Sequence, residues 1–88
     1  MRILAEILEI SKEGILKTQI MYRANLSFTQ LNDYLNFMLN LDLIAKTNHG
    51  GKEIYIITEK GLNFLQKHSE LIKMLKANAN GGKNKIPL

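Results

Sequence analysis

Apolar residues recur along the chain at two different spacings, and the spacing predicts which segments are helices and which are strands. Within residues 2–13, Ile3, Ile7 and Ile10 fall at the i, i+4, i+7 positions of one helix face. Gly14 follows, and glycine ends helices readily because it accepts a left-handed backbone. The pattern therefore predicts a first helix that covers residues 2–13.

Two short segments come next. Residues 15–16 form an apolar pair that is long enough only for a two-residue strand. A second helix is predicted over residues 18–24, with Thr18 as its N-cap. Asn25 should end this helix, because asparagine is one of the few non-glycine residues that tolerate positive φ.

The third helix has the strongest local signal in the chain. Ser27 and Gln30 have the spacing of a capping box, in which each side chain bonds the backbone N–H of the other residue. Leu26 and Leu31 flank this cap as a hydrophobic staple. The helical apolar repeat then continues to about residue 40.

Beyond the third helix the pattern indicates strands. Residues 43–47 and 53–57 predict two strands, and residues 48–52 between them contain Gly50 and Gly51, which favour a turn. Together they predict a β-hairpin with a basic tip.

Thr58 then caps a fourth helix that should run to about residue 77. Residues 79–88 are polar and basic, and we expect them to form a disordered tail. Leu31, Leu35 and Ile57 are predicted to lie in the core.

Composition limits the classes of function. The chain has 88 residues, which suits one domain, and it contains no cysteine, which excludes disulfides and thiol nucleophiles. No uncharged stretch approaches the ~20 residues of a membrane span. We expect a cytoplasmic protein without a membrane partner, and no small-molecule ligand is evident.

Charge is distributed unevenly. Residues 1–44 carry four basic and five acidic side chains, whereas residues 45–88 carry eight lysines and three glutamates, within a net charge of +4. A basic half favours a polyanion such as nucleic acid, although a solvated lysine surface gives the same count.

The order of elements predicts a mainly α fold with a small β-hairpin wing, α-β-α-α-β-β-α, that ends in a long helix. Residues 24–27, the Leu-Ile pair at 43–44 and residues 55–62 resemble the turn, the pair after the third helix and the wing-to-helix junction of the winged helix-turn-helix DNA-binding superfamily. Within it the chain is most similar to small archaeal regulators and to archaeal 10-kDa chromatin-associated proteins. The resemblance implies a DNA-binding domain over 1–62 and a dimerisation helix over 63–78, before the tail at 79–88.

The resemblance also implies that the third helix enters the major groove of double-stranded DNA. Asparagine and glutamine can pair with adenine there, and threonine can touch a thymine methyl group. The helix lacks arginine and lysine, and Asp33 would repel phosphate, so a merely solvated polar face is the alternative. The candidate base-contacting residues are Ser27, Thr29, Gln30, Asn32 and Asn36.

Contacts to the DNA backbone would come from cations beside the third helix and on the wing. The alternative for the wing is a plain hairpin tip whose lysines give solubility. Asp42 stands where the family usually has glycine, so it should adopt positive φ. The candidate backbone-contacting residues are Lys17, Arg23, Lys46, His49 and Lys52.

The fourth helix is the predicted dimer interface. Four of its residues, three apolar and one histidine, have spacings of three, four and three, which is the a/d rhythm of a coiled coil. The alternative is that this helix folds over the wing sheet and covers Ile54 and Ile56. The candidate interface residues are Leu65, His68, Ile72 and Leu75.

The sequence therefore predicts a DNA-binding protein, either a transcriptional regulator or a nucleoid-associated architectural protein. The alternative is a winged helix that serves as a protein-interaction module without binding DNA. An enzyme is not expected, because the chain has no phosphate-binding loop, no nucleophile elbow and no converging metal ligands. No cofactor is expected.

Overall fold

The computed structural model describes residues 2–80, which form four helices and one three-stranded sheet. The predicted mainly helical fold with a hairpin wing and a long last helix is confirmed, element by element. The elements are α1 (Arg2–Ile10), β1 (Ile15–Leu16), α2 (Lys17–Ala24), α3 (Phe28–Asn40), β2 (Ile44–His49), β3 (Lys52–Ile57) and α4 (Glu59–Asn80).

Helix α1 ends at Ile10, three residues before the predicted end. Ser11 is fully buried, and its Oγ donates a hydrogen bond to the carbonyl of Leu8. The Ser11 carbonyl accepts the N–H of Ile57 at 3.0 Å and that of Gly14 at 3.3 Å. This carbonyl therefore bonds a turn residue and the last strand rather than the N–H of Ile15, and the prediction of a helix to residue 13 was wrong.

Helix α2 begins at Lys17, and its N-cap is Leu16 rather than the predicted Thr18. Leucine has no side-chain acceptor. The local hydrogen bond is instead donated by the Leu16 N–H to Oε1 of Gln19 at 3.1 Å. The helix ends as predicted at Asn25, which has a left-handed backbone with φ of 55°.

Helix α3 begins with the predicted capping box. The Gln30 N–H donates to Oγ of Ser27 at 3.2 Å, and the Ser27 N–H donates to Oε1 of Gln30 at 3.0 Å. The helix ends at Asn40, and Asp42 then adopts the expected positive φ, 61°. This turn directs the chain from α3 into the sheet.

The sheet has the antiparallel order β1-β3-β2. Strands β2 and β3 are longer than predicted, because the turn between them contains only Gly50 and Gly51. Both glycines have positive φ, 58° and 80°, as a type I′ turn requires. Asn48 and His49 are therefore strand residues, and His49 pairs directly with Lys52.

The core lies between α1, α2, α3 and the sheet. The predicted core residues Leu31, Leu35 and Ile57 are all buried, which confirms the apolar face assigned to each element. The largest fully buried side chains are Ile7, Leu8, Ile20, Leu31, Leu35, Met38, Ile44 and Ser11.

Helix α4 is anchored to the body of the protein at its first turn. The Gly61 N–H donates to Oγ1 of Thr58 at 3.0 Å, which confirms the predicted cap. The same hydroxyl lies within 2.6 Å of the Asp42 carbonyl, so it also holds the turn after α3. The helix runs without a break through the proposed boundary at 62–63 and on to Asn80, and residues 81–88 of the predicted tail lie outside the described residues.

Gly61 is expected to be intolerant of any side chain. An added Cβ would lie 2.7 Å from Cγ1 of Ile57 and would meet the carbonyl oxygen of Leu43. Gly61→Ala should therefore lower the free energy of unfolding by about 1–3 kcal/mol, although alanine is the better helix former. Urea denaturation measures this loss, with exposed Asn63→Ala as the control on the same helix. Equal stability of the two variants would contradict the close contact.

Candidate nucleic-acid interface

Helix α3 divides into a buried face and a solvent face. Leu31, Leu35 and Met38 are buried, and the polar residues predicted to contact bases lie outside this stripe. The structure thus presents a mainly polar solvent face along the helix, which also carries the exposed rings of Phe28 and Phe37. Ser27, Thr29, Gln30 and Asn36 are exposed, and Asn32 is half-buried.

Two of these residues also cap the helix. Ser27 Oγ accepts a backbone N–H, and Oε1 of Gln30 accepts another. Pairing with adenine requires a donor and an acceptor from one amide group. The members of the predicted set that the cap does not use are Thr29, Asn32 and Asn36.

Phe28 is a residue of this surface that the sequence reasoning missed. It occupies the first position of α3, and its side chain is 61% exposed. The Nζ of Lys17, from the start of α2, lies 4.7 Å from the centroid of its ring, in a cation–π contact. Its position in the sequence could have indicated this, because Phe28 follows the N-cap Ser27 directly and comes before Leu31, the first residue of the apolar repeat.

Arg23 lies at the opposite end of α2 from Lys17. It is exposed and lines an open groove of about 620 Å³, together with its neighbour Tyr22, with Glu9 near the end of α1 and with Glu13 after that helix. The structure therefore does not bring the two predicted cations of α2 together. Arg23 shares its groove with two carboxylates, whereas Lys17 lies against the start of α3.

The three predicted wing residues, Lys46, His49 and Lys52, are all exposed, but their surroundings differ. Lys46 Nζ lies 3.9 Å from Oε2 of Glu53, which reduces its net positive field. His49 and Lys52 instead form the last pair of the hairpin beside the glycine turn. The tip is therefore the more strongly cationic part of the wing.

Tyr55 supports the Glu53 carboxylate on the same strand. Burial raises the pKa of the Tyr55 phenol above its ordinary value, and the negative charge of Glu53 raises it further. The phenol is therefore neutral at physiological pH, and it donates a hydrogen bond to Glu53 at 3.3 Å. This bond holds Glu53 beside Lys46.

The four predicted interface residues of α4, Leu65, His68, Ile72 and Leu75, are all half-buried. Leu65 packs against the core, as does Phe64, whose ring stacks on that of His68 at 6.4 Å between centroids. The first half of the predicted seam therefore has partners within the chain. Further apolar surface on α4 is exposed at Leu62, Leu71 and Met74.

The structure agrees only in part with the alternative packing, in which α4 covers Ile54 and Ile56. Gly61 brings the first turn of α4 against Ile57. Ile54 lies instead beside Gly14, where an added Cβ would be 3.1 Å from its Cγ2. Both Ile54 and Ile56 are half-buried.

Residues 2–80 contain no group of three or more histidine, aspartate or glutamate side chains that could hold a metal ion. In the same part of the chain, no helix combines the length and the apolar character needed to cross a membrane.

Three helices, a strand that joins the hairpin in one sheet, and a long last helix define the winged-helix class of proteins. Residues 1–76 match the model of a family described as winged helix-turn-helix, and the chain belongs to this family. The predicted resemblance is confirmed.

Two curated relatives come from the archaeon Methanocaldococcus jannaschii. The uncharacterized protein MJ0287 is 35% identical over 74 residues, which cover 83% of this chain and 72% of that protein. The uncharacterized protein MJ0290 is 32% identical over 74 residues, which again cover 83% of this chain. The matched part spans only 33% of MJ0290, so that relative is much longer.

Two solved structures share the fold. Sso10a-2, a DNA-binding protein from Sulfolobus solfataricus, superposes with a TM-score of 0.77 at 22% identity, over 91% of this chain and 84% of that one. A mutant of ZitR from Lactococcus lactis, in its apo form, gives a TM-score of 0.68 at 18% identity, over 92% of this chain and 62% of that one.

Proposed function

We propose that this protein binds double-stranded DNA through α3 and the wing, and that it acts as a transcriptional regulator or as a nucleoid architectural protein. The observation that carries the proposal is the exposed, mainly polar face of α3, with a cation of α2 held beside its first residue. Membership of the winged helix-turn-helix family supports it, and so does the shared fold with a DNA-binding protein of Sulfolobus solfataricus.

The width of α3 is compatible with that of the major groove of B-DNA. An α-helix with its side chains is about 10–12 Å wide, and the major groove of B-DNA is about 12 Å wide. With α3 in the groove, Thr29, Asn32 and Asn36 would meet base edges. Contacts to phosphate fix the position of such a helix but carry no sequence information. In this chain those contacts would come from Lys17, Arg23, Lys46, His49 and Lys52.

The function proposed is binding without catalysis. Its free energy comes mainly from counterions that are released when lysine or arginine replaces them at phosphate. Asp33 on α3 and Glu53 on the wing oppose this attraction, so affinity depends on a small number of cations. We therefore expect moderate affinity that is very sensitive to salt.

A protein-interaction module is the second candidate. The observation that favours it is the composition of α3, which has no lysine or arginine and exposes Phe37 as well as Asp33. Exposed aromatic residues are enriched at protein interfaces. Measurement of duplex binding against salt separates the two candidates.

The deciding experiment is a fluorescence-anisotropy titration of duplex DNA at several salt concentrations. The logarithm of the binding constant should fall linearly with the logarithm of salt concentration, by about 0.9 per phosphate contact. Asn36→Ala should change the sequence preference in a selection from random duplexes and leave this slope unchanged. Absence of duplex binding at low salt would reject DNA binding and favour the interaction module.

The wing lysines are predicted to contribute unequally. Lys52→Gln should reduce the salt slope by about 0.9, the value for one lost phosphate contact. Lys46→Gln should reduce it less, because Lys46 already faces Glu53 at 3.9 Å. Glu53→Gln should strengthen binding, since it releases Lys46.

The matched control for the wing is Lys76→Gln, which removes the same charge from an exposed position far along α4. It should leave the slope close to that of wild type. If Lys52→Gln and Lys76→Gln change the slope equally, the wing makes no specific contact with DNA.

Dimerisation through α4 is part of the proposal. A two-fold dimer would present two copies of α3, which suits paired half-sites about 34–36 Å apart on one face of the duplex. Ile72 and Leu75 support such an interface, because they are apolar and lie beyond the part of α4 that packs on the core.

A further inference from the structure

Phe28 is unusual among the residues at the start of α3 because its aromatic ring faces solvent. Its exposed fraction is 61%, and the core contacts of this region come instead from Leu26 and Leu31. The ring therefore does little for packing within the chain. It presents an apolar surface at the end of the helix whose N-terminal residues contact base edges in helix-turn-helix proteins.

Phe28 also shares a row of the helix with two amide side chains. Phe28, Asn32 and Asn36 have the i, i+4, i+8 spacing, so they follow one another along one side of α3. Asparagine recognises adenine by a donor and an acceptor, and an apolar side chain recognises the C5-methyl group of thymine. The row therefore carries side chains of the kinds that recognise A·T base pairs.

The lysine above the ring indicates where the ring would lie on the DNA. Lys17 Nζ lies 4.7 Å from the ring centroid, so the charge that would meet a phosphate is held beside the aromatic group. An ammonium group has three N–H donors, and a contact with the ring face leaves donors free for phosphate oxygens. Contact of Lys17 with the backbone would thus place the ring edge near the bases.

We infer that Phe28 is a specificity-determining residue that recognises thymine through its C5-methyl group in the major groove, with Lys17 as its phosphate-contacting neighbour. This inference rests on the proposed binding of duplex DNA. It assigns preference for A·T pairs to an apolar contact at the start of α3, in addition to the polar contacts of Asn32 and Asn36.

The test uses two duplexes that differ only in methyl groups. One is an alternating A·T duplex, and the other has uracil in place of every thymine, which keeps the base pairing and the phosphate charge. Burial of one methyl group changes a binding constant by about fourfold. Wild type should therefore bind the uracil duplex about fourfold more weakly, at one fixed salt concentration.

The variants identify the residue responsible. Phe28→Ala should lose most of the preference, since only the methyl of Thr29 then remains for such a contact, and Phe28→Leu should retain more of it because it keeps an apolar group. Phe37→Ala is the matched control, because Phe37 is a second exposed phenylalanine of α3, 50% exposed and on a different side of the helix. It should keep the full preference of wild type. Lys17→Gln should weaken binding to both duplexes and also lower their ratio, because the ring loses the contact that places it near the bases.

The outcomes separate this inference from the proposed function. Equal binding of both duplexes by wild type would overturn the role of Phe28 and leave DNA binding intact. An undiminished preference in Phe28→Ala would also overturn it, because the methyl group would then act through another residue or through DNA shape. Failure to bind either duplex at low salt would overturn the proposed function itself, and the inference with it.

Discussion

Replacement of Leu35 by alanine is expected to lower the free energy of unfolding by about 2–5 kcal/mol. Leu35 is 2% exposed and lies in the centre of α3, between the buried residues Leu31 and Met38. Its removal leaves a cavity that the neighbouring helices and sheet cannot fill by a small shift. Because small domains have a total stability of about 5–15 kcal/mol, this loss is large, and thermal or urea unfolding will detect it.

Phe37→Ala is the control for Leu35→Ala, since it removes a larger side chain from an exposed position of the same helix. Its stability should stay within about 0.5 kcal/mol of wild type, as for most surface substitutions. If Leu35→Ala melts within a degree or two of this control, the buried face of α3 has been assigned wrongly.

Aspartate at Ile72 or at Leu75 is expected to convert the proposed homodimer into monomers. A carboxylate at the centre of an apolar seam loses water without gaining a partner, which costs several kcal/mol. The dissociation constant should therefore rise by more than about a hundredfold. Sedimentation equilibrium at micromolar concentration, on wild type and on each variant, measures this change.

Asn63→Asp is the matched control, because it introduces the same carboxylate at an exposed position on the opposite side of α4. It should remain dimeric. A monomeric wild type would reject the proposed dimer. A dimer that survives both Ile72→Asp and Leu75→Asp would move the interface to the exposed apolar residues Leu62, Leu71 and Met74.

Local chemistry allowed much of the fold to be predicted before the structure. The capping box of Ser27 and Gln30, the left-handed turn at Asn25 and the cap at Thr58 all involve residues within three or four positions of one another. Such interactions depend little on the rest of the chain. The periodic apolar positions added the buried faces, so the order of elements and the winged-helix fold followed.

The site was predictable only in part. Sequence placed Thr29, Asn32 and Asn36 on the outer side of α3, because helical periodicity alone separates them from the buried stripe. It did not reveal that Lys17 lies over Phe28, nor that Glu53 lies beside Lys46. Each of these pairs joins two different elements of the fold.

By itself, then, the sequence determined the order of the elements, the caps of α3 and α4 and the polar face of α3, because these depend on neighbours along the chain. Only the tertiary structure revealed that the Ser11 carbonyl, just after the end of α1, accepts the N–H of Ile57 from a distant strand. It also decided that Gly61 must lack a side chain, because Leu43 and Ile57 occupy that space. Contacts between residues far apart in the sequence produce no periodic pattern of residue types. They can therefore be identified only in the folded structure, where packing brings those residues together.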